Sequence, residues 1–231
     1  AAPRMHAEIV DAYERGGFPS LVIESKKSFV ERFGAGGVSR MPGTPDPNGV
    51  LDVQVKTSMA EVARYHHAKA QQGGDLSDYR EAERYYRRYL EEFPNETDTA
   101  SINFLLAEVL FEMEDFAEAT DEYERTAYAY PDHNRSAEAG YAALLSYQAH
   151  EHSLHGTAKA NWHQRYLDAS LTFAESFPDH PQWGRVMTTV AEDFFALDEF
   201  DRAIENAQAV LAKQPPIEAD LARTAWIVIA H

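Results

Sequence analysis

The sequence contains no cysteine in its 231 residues. This absence excludes disulfide bonds, thiolate-ligated zinc sites and cysteine nucleophiles. It leaves the compartment open, because a reducing cytoplasm and a cell envelope both contain cysteine-free proteins. Hydrophobic residues make up 44% of the chain, which is enough to bury a substantial core without cross-links.

Long apolar runs are also missing. No stretch approaches the ~18 apolar residues that a membrane-spanning helix requires. The opening residues, AAPRMHAEIVDAYERGG, lack the basic region, the apolar stretch and the cleavage site of a signal peptide. We therefore expect no membrane insertion by this chain.

Basic residues are scarce relative to acidic ones. The chain has 21 Lys and Arg against 38 Asp and Glu, which gives a formal net charge of −17. No dense block of Lys or Arg offsets this acidity locally, and a phosphate backbone would be repelled. Nucleic acid is therefore not an expected partner.

A pattern of aromatic, alanine and proline residues recurs along the chain. Each copy has an alanine twelve residues before a proline, and an aromatic residue three residues before that alanine. The copies are Tyr79, Ala82 and Pro94; Phe116, Ala119 and Pro131; Phe200, Ala203 and Pro215. A degenerate copy leads from Tyr166 to Pro178. Successive prolines are 37, 47 and 37 residues apart, so the unit that ends at Pro178 carries an insertion, near residues 150–160.

Between these prolines the chain has the periodicity of two amphipathic helices, with apolar residues at intervals of three and four. In the unit that ends at Pro131, the first helix contains Ile102, Leu105, Leu106, Val109, Leu110 and Met113, and the second contains Phe116, Ala119, Tyr123, Thr126 and Ala127. A proline just after the second helix ends it without loss of an internal hydrogen bond. Each unit is therefore predicted to be a helix, a turn and a second helix.

This arrangement of residues resembles the tetratricopeptide repeat (TPR). The resemblance implies an all-α fold, a right-handed helix-turn-helix solenoid with about five helix pairs and a truncated sixth. The 37-residue period is longer than the ~34 residues usual for the repeat. The unit endings RRYLEEFP and LTFAESFP are similar to repeats of bacterial envelope lipoproteins that assist outer-membrane assembly.

The predicted organisation begins with a helix pair at residues 1–34 and a flexible Gly/Pro loop at 35–50. The repeat array occupies 51–215, with units at 51–94, 97–131, 134–178 and 180–215. Residues 216–231 are predicted to be the first helix of a truncated further repeat, so we expect the chain to be a fragment of a longer protein. The apolar helix at this open end, which contains Trp226, is expected to self-associate.

Histidine is the residue type that suggests metal chemistry, since His150, His152, His155 and His163 lie close together in sequence. In the segment HEHSLH a zinc-protease motif would need a histidine at the position of Leu154. Positions 150 and 152 would also project about 200° apart on a helix, so a shared metal would require a loop. We therefore predict no metal ligand and no cofactor.

Catalytic constellations are not evident either. Ser20 and Ser25 have no neighbouring histidine in sequence, and no glycine-rich phosphate loop precedes a helix. Paired carboxylates in an acidic repeat array are usually solvated. The chain is therefore predicted not to be an enzyme, and a metal-dependent enzyme that uses the His150–His163 region is the weakest alternative.

The resemblance implies that the first helices of the pairs line a concave groove that binds partner proteins. Aligning Ala68, Ala107, Leu144 and Ala191 places Tyr65, Phe104 and Tyr141 at one equivalent position. The predicted partner-binding residues are Tyr65, Lys69, Phe104, Glu108, Phe111, Glu112, Tyr141, Gln148, Glu192 and Phe195. The alternative is that the three aromatic side chains only pack neighbouring first helices against each other.

The leading hypothesis is a non-enzymatic scaffold of a bacterium that binds a protein or peptide segment in this groove. The alternative is a structural repeat region inside a larger envelope secretion or assembly protein. The similarity of the unit endings favours the periplasm or cell envelope as the compartment, with the cytoplasm as the alternative.

Overall fold

The computed structural model describes residues 2–35, 37, 49–131 and 133–231. The predicted Gly/Pro loop at 35–50 lies for the most part outside these residues. The described residues form eleven α-helices and no strand. The helices are α1 (Ala2–Gly16), α2 (Pro19–Phe33), α3 (Val50–Gly73), α4 (Leu76–Glu92), α5 (Thr99–Glu112), α6 (Phe116–Glu124), α7 (Ser136–Glu151), α8 (Gly156–Ser176), α9 (Trp183–Ala196), α10 (Phe200–Ala212) and α11 (Ala219–Ala230).

These helices follow the order of a helical repeat protein. Successive helices form five pairs, from α1–α2 to α9–α10, and α11 follows the last pair. A π-helical turn over Arg125–Ala129 continues α6. The prediction of an all-α repeat fold with five helix pairs and one further helix is confirmed. Within the described residues, no helix is both long and apolar enough to cross a membrane.

The chain divides into two compact units, of which unit 1 ends at Glu122 and unit 2 is Tyr123–His231. In unit 1, α1 packs on α2, α2 on α3, α3 on α4 and α4 on α5. The recurring alanines Ala82 and Ala119 have no exposed surface. A buried alanine lets two helices approach closely, because no larger side chain separates their backbones.

Unit 2 is built by the same local packing. Helix α7 packs on α8, α8 on α9, α9 on α10 and α10 on α11, and α9 also contacts α11. A small residue is required where α7 crosses the end of α8: a Cβ atom added to Gly140 would lie 2.8 Å from the Phe177 ring and 3.1 Å from the Phe173 ring. The core of this unit is therefore closely packed around aromatic side chains.

The turns inside two of the pairs have the same backbone geometry. Glu114 precedes α6 with φ of 63° and Asp198 precedes α10 with φ of 62°, both in the left-handed region that non-glycine residues rarely adopt. Both residues lie two positions before the aromatic residue of the repeat pattern. An acidic residue in the same backbone conformation therefore precedes the second helix of one pair in each unit.

The histidine-rich segment is mostly helical. Helix α7 continues to Glu151, and α8, which has 21 residues, begins at Gly156. His150 is in the last turn of α7, whereas His152 and His155 flank the short connection. The residues near 150–160 thus lengthen two helices and join them by a short turn.

Candidate functional site

The alanine of α3 that is equivalent to Ala107 is Ala70, and not Ala68 as the sequence alignment predicts. Ala70 is fully buried and stands twelve residues before Ala82, as the buried Ala107 stands before Ala119, whereas Ala68 is exposed. The helix buries Ala63, His66, His67 and Ala70, which have the spacing of three and four residues that places side chains on one face of a helix. The α3 positions equivalent to Phe104 and Glu108 are therefore those of His67 and Gln71.

The three aligned aromatic residues lie in different surroundings. Phe104 is buried, with 2% of its surface exposed. Tyr65 is half-buried, and it borders a depression beside α1 that is described below. Tyr141 in unit 2 is half-buried against Phe173 and His180, with ring centroids 6.1 and 5.4 Å away. Tyr65 therefore borders an open depression, whereas Phe104 is enclosed in the core.

Lys69 is engaged in a polar cluster between α3 and α4. Its Nζ atom lies 2.7 Å from Oδ2 of Asp78, and Oδ1 of the same carboxylate lies 2.6 Å from Nδ1 of His66. The hydrogen bond from Lys69 lowers the pKa of Asp78, burial opposes this, and the hydrogen bond from His66 adds to the lowering. Asp78 is therefore a buried, ionised carboxylate that ties the two helices together.

Glu112 forms a second polar cluster, which links the first helices α3 and α5. Its carboxylate accepts a hydrogen bond from Gln71 Nε2 at 2.8 Å and contacts His67 Nε2 at 2.9 Å. Burial raises the pKa of Tyr79, and the nearby Glu112 carboxylate raises it further. The alignment missed His67 and Gln71, although the twelve-residue spacing to Ala82 identifies their positions.

The two phenylalanines predicted to bind a partner pack inside their own pairs. Phe111 contacts Phe116 with ring centroids 5.1 Å apart, and Phe195 contacts Phe200 at 5.4 Å. Both have the edge-on geometry that aromatic pairs prefer. Phe111 and Phe195 are half-buried, and so is Glu108 of α5.

In unit 2 the remaining predicted residues lie on exposed surface. Gln148 donates a hydrogen bond of 2.9 Å to the hydroxyl of Tyr166, and Glu192 is exposed. Nearby, Nδ1 of His163 lies 3.2 Å from Glu151 and Nε2 lies 3.8 Å from Asp193. Burial raises the pKa of Asp193, and the His163 ring opposes that shift.

A metal centre would require several such ligands around one point. Within 2–35, 37, 49–131 and 133–231, no group of three or more His, Asp or Glu side chains is arranged to hold an ion. His150 packs edge-on against Trp162, with ring centroids 4.5 Å apart. Its ring therefore contributes to packing between α7 and α8.

A depression of unit 1 that was not predicted from the sequence lies between the first helices α1 and α3. It has a volume of about 280 Å³. Val10 of α1, Phe29 of α2 and Val53 of α3 supply apolar lining, and Phe29 is almost fully buried beneath them. The carboxylates of Asp11, Glu14 and Glu61 also line it. We call it the acidic cleft.

A second depression adjoins the acidic cleft along the same two helices. It is also about 280 Å³ in volume, and Glu14 borders both. Its lining is apolar: Phe18, Val22, Ile23 and the ring of Tyr65. We call it the Tyr65 pocket, and the two depressions together the α1–α3 seam.

Lys26 of α2 forms ion pairs with both α1 and α3 beside the seam. The side chain of Lys26 is 12% exposed, and its Nζ atom lies 2.8 Å from Glu14 and 2.7 Å from Glu61. Burial lowers the pKa of Lys26, but the hydrogen bonds with Glu14 and Glu61 outweigh burial and raise the pKa overall. Helix α2 is thereby joined to α1 and to α3 through one ammonium group.

Comparison with known proteins identifies the central pair of unit 1. Residues 62–96 match the sequence model of the tetratricopeptide repeat family. The matched segment includes the second half of α3, all of α4, and the pattern residues Tyr79, Ala82 and Pro94. A search of curated proteins finds no match to the chain. Residues 62–96 are therefore a repeat of the tetratricopeptide family.

Proposed function

We propose that the chain is a scaffold that binds a segment of a partner protein in the α1–α3 seam of unit 1. The tetratricopeptide repeat supports a role in protein–protein interaction in general, and it is generally a non-enzymatic fold. The observation that carries the proposal is the pair of adjoining depressions between two successive first helices. Partner segments bind such faces through apolar anchors surrounded by polar groups.

The dimensions of the seam suit a short peptide. Val53 and Tyr65, which line opposite ends of it on α3, are twelve residues apart, or roughly 18 Å along the helix axis. An extended segment of about five or six residues spans that length. The Tyr65 pocket supplies an apolar anchor point and the acidic cleft supplies polar contacts.

The test begins with the selection of peptides that bind the purified chain from a display library of random 12-residue sequences. We expect the selected peptides to lose about five- to thirty-fold in affinity when Tyr65 is replaced by alanine, the size of a moderate interface hot spot. Binding is measured by fluorescence anisotropy with labelled peptides, and folding of each variant by circular dichroism.

Tyr141→Ala is the matched control, because Tyr141 is also a half-buried tyrosine of a first helix but lies in unit 2. Phe18→Ala, at the rim of the Tyr65 pocket where Phe18 is 56% exposed, provides a second variant that leaves the core intact. Peptides that keep full affinity for folded Tyr65→Ala and Phe18→Ala proteins would eliminate the seam as the binding site.

A second candidate function is self-association through α11. Trp226 is 61% exposed and Ile227 is 52% exposed, whereas Ala225 and Val228 on the other face of the helix are buried. Two adjacent large apolar side chains on a surface favour contact with another molecule. This observation supports the alternative in which the chain is a structural part of a larger assembly.

Trp226→Ser combined with Ile227→Ser is expected to reduce self-association by removing this apolar surface. Sedimentation velocity over a range of protein concentrations measures the effect. Wild-type protein that stays monomeric at the highest concentration would argue against this role. A matched change on exposed surface elsewhere, Leu145→Ser, is expected to have no effect on assembly.

The bacterial cell envelope is the compartment that we propose, from the similarity of the unit endings described above. Fractionation of cells that express the protein from its native locus, followed by immunodetection, tests this. Recovery in the cytoplasmic fraction alone would contradict it.

A further inference from the structure

From the chemistry of the acidic cleft, we infer that the partner segment is basic: a lysine or arginine side chain enters the acidic cleft while an apolar residue of the same segment occupies the Tyr65 pocket. The inference rests on the proposed function, because it specifies the ligand of the same seam. It is carried by the charges that line the acidic cleft, by the apolar lining of both depressions, and by the distance between them.

The charges of the acidic cleft favour a cation. Among the side chains that the structure describes, the titratable lining is three carboxylates, Asp11, Glu14 and Glu61, against the ammonium group of Lys26 and the ring of His6. Nε2 of His6 is 2.8 Å from the Ser25 carbonyl oxygen, an acceptor, so this nitrogen carries a proton and is satisfied within the chain. The carboxylates of Glu14 and Glu61 are about half exposed, with side-chain exposures of 51% and 43%, so an incoming group can reach them.

The described cations at this place, Lys26 and Arg15, already contact carboxylates, which disfavours an anionic ligand. Of the described side chains in this lining, Lys26 is the one Lys or Arg, and both Glu14 and Glu61 already contact its Nζ atom. The Arg15 guanidinium beside the cleft contacts Asp11 at 2.7 Å. An anion would have to displace one of these carboxylates and approach the others, which like-charge repulsion opposes.

The chain itself shows that the acidic cleft accommodates an alkylammonium group. The side chain of Lys26 reaches Glu14 and Glu61 while 88% of its own surface is covered, and both Lys26 and Phe29 line the cleft. A long basic side chain has an apolar stem and a charged end. The lining of Val10, Phe29 and Val53 beneath a carboxylate rim matches both parts.

The second anchor follows from the Tyr65 pocket. Ser58 lines the acidic cleft and Tyr65 lines the pocket, seven residues apart on α3, or roughly 10 Å along the helix. That distance corresponds to about three residues of extended peptide. The segment is therefore expected to carry a basic residue and a large apolar residue about three positions apart.

The composition of the peptides selected on the purified chain is the first test. We expect peptides whose binding requires Tyr65 to be enriched in Lys or Arg, with a Phe, Leu, Ile, Trp or Tyr about three positions away. Seam-dependent peptides without this basic residue would overturn the inference and leave the proposed function intact. If no selected peptide depends on Tyr65 or Phe18, the proposed function fails and the inference fails with it.

Charge-neutral variants give the second test on a selected basic peptide. Glu61→Gln and Asp11→Asn are each expected to weaken its binding about five-fold, the upper range for a partly exposed ion pair. Glu24→Gln is the matched control, because Glu24 is a 70% exposed carboxylate of α2 that does not line the seam. Equal losses in the control and the two seam variants would mean that only the net charge of the protein matters, and would overturn the inference.

The Lys26→Met variant distinguishes binding of a peptide cation by Glu14 and Glu61 from a purely structural role of these carboxylates. Removal of the ammonium leaves Glu14 and Glu61 without the cation that now contacts them, so a basic peptide is expected to bind more tightly, by about five-fold. If Lys26, Glu14 and Glu61 had only a structural role, Lys26→Met would weaken peptide binding, as Glu61→Gln does. Weaker binding by a Lys26→Met protein that remains folded would count against a cation in the acidic cleft.

Discussion

Replacement of Phe104 by alanine is expected to lower the free energy of unfolding by about 3–5 kcal/mol. Phe104 lies in the middle of α5 and exposes only 2% of its surface. Truncation removes the favourable burial of the ring and leaves a cavity that its neighbours fill only in part. Urea denaturation followed by circular dichroism measures the loss, and any change in partner binding should follow the fraction of unfolded protein.

Phe111→Ala is the control for this experiment, because Phe111 lies two turns further along the same helix and is only half-buried. It should lose distinctly less stability than Phe104→Ala. The opposite outcome, in which Phe104→Ala keeps its stability but loses partner binding, would indicate that the ring contacts a partner as the sequence alignment proposed. The burial of Phe104 favours the packing alternative at this one position.

Replacement of a buried repeat alanine by leucine is expected to have the second large effect on the free energy of unfolding. Ala70→Leu, Ala119→Leu and Ala203→Leu should each lower the free energy of unfolding by about 1–3 kcal/mol, because the added methylene groups meet closely packed neighbours. All three alanines have no exposed surface. The shift of the denaturation midpoint at constant slope measures this loss.

Ala68→Leu provides the matched control, since Ala68 is on the same helix as Ala70 but is exposed. Leucine and alanine have similar helix propensities, so its stability should change by only a few tenths of a kcal/mol. A large loss for Ala68→Leu with none for Ala70→Leu would mean that the register of α3 described here is wrong. It would also restore Tyr65 to the position equivalent to Phe104.

The sequence predicted the repeat fold because its pattern records packing that is local in the chain. The alanines at 82, 119 and 203 and the prolines twelve residues later mark a close helix contact and a helix end in each pair. Both follow from sterics within about 40 residues. The same spacing, counted back from Ala82, also identifies Ala70 as the core residue of α3, whereas the alignment through Ala68 does not use that spacing.

The α1–α3 seam could not be predicted in the same way. Its two sides are separated by α2 and by residues 35–49, and periodicity does not show which face of α1 is turned to α3. The charged lining is also hard to recognise, since Asp11, Glu14 and Glu61 are ordinary acidic residues in a chain with 38 of them. Only the structure brings them beside Lys26 and Phe29.

The packing of each helix on its chain neighbour also affects how each unit folds. When contacts join residues that are close in sequence, only short loops have to close before a contact is made, so the entropy lost on the way is small. Helical proteins with such local contacts fold rapidly, and in repeat arrays folding can start at more than one place. A growing chain of this kind can add finished helix pairs one after another as it leaves the ribosome, without waiting for its last residues.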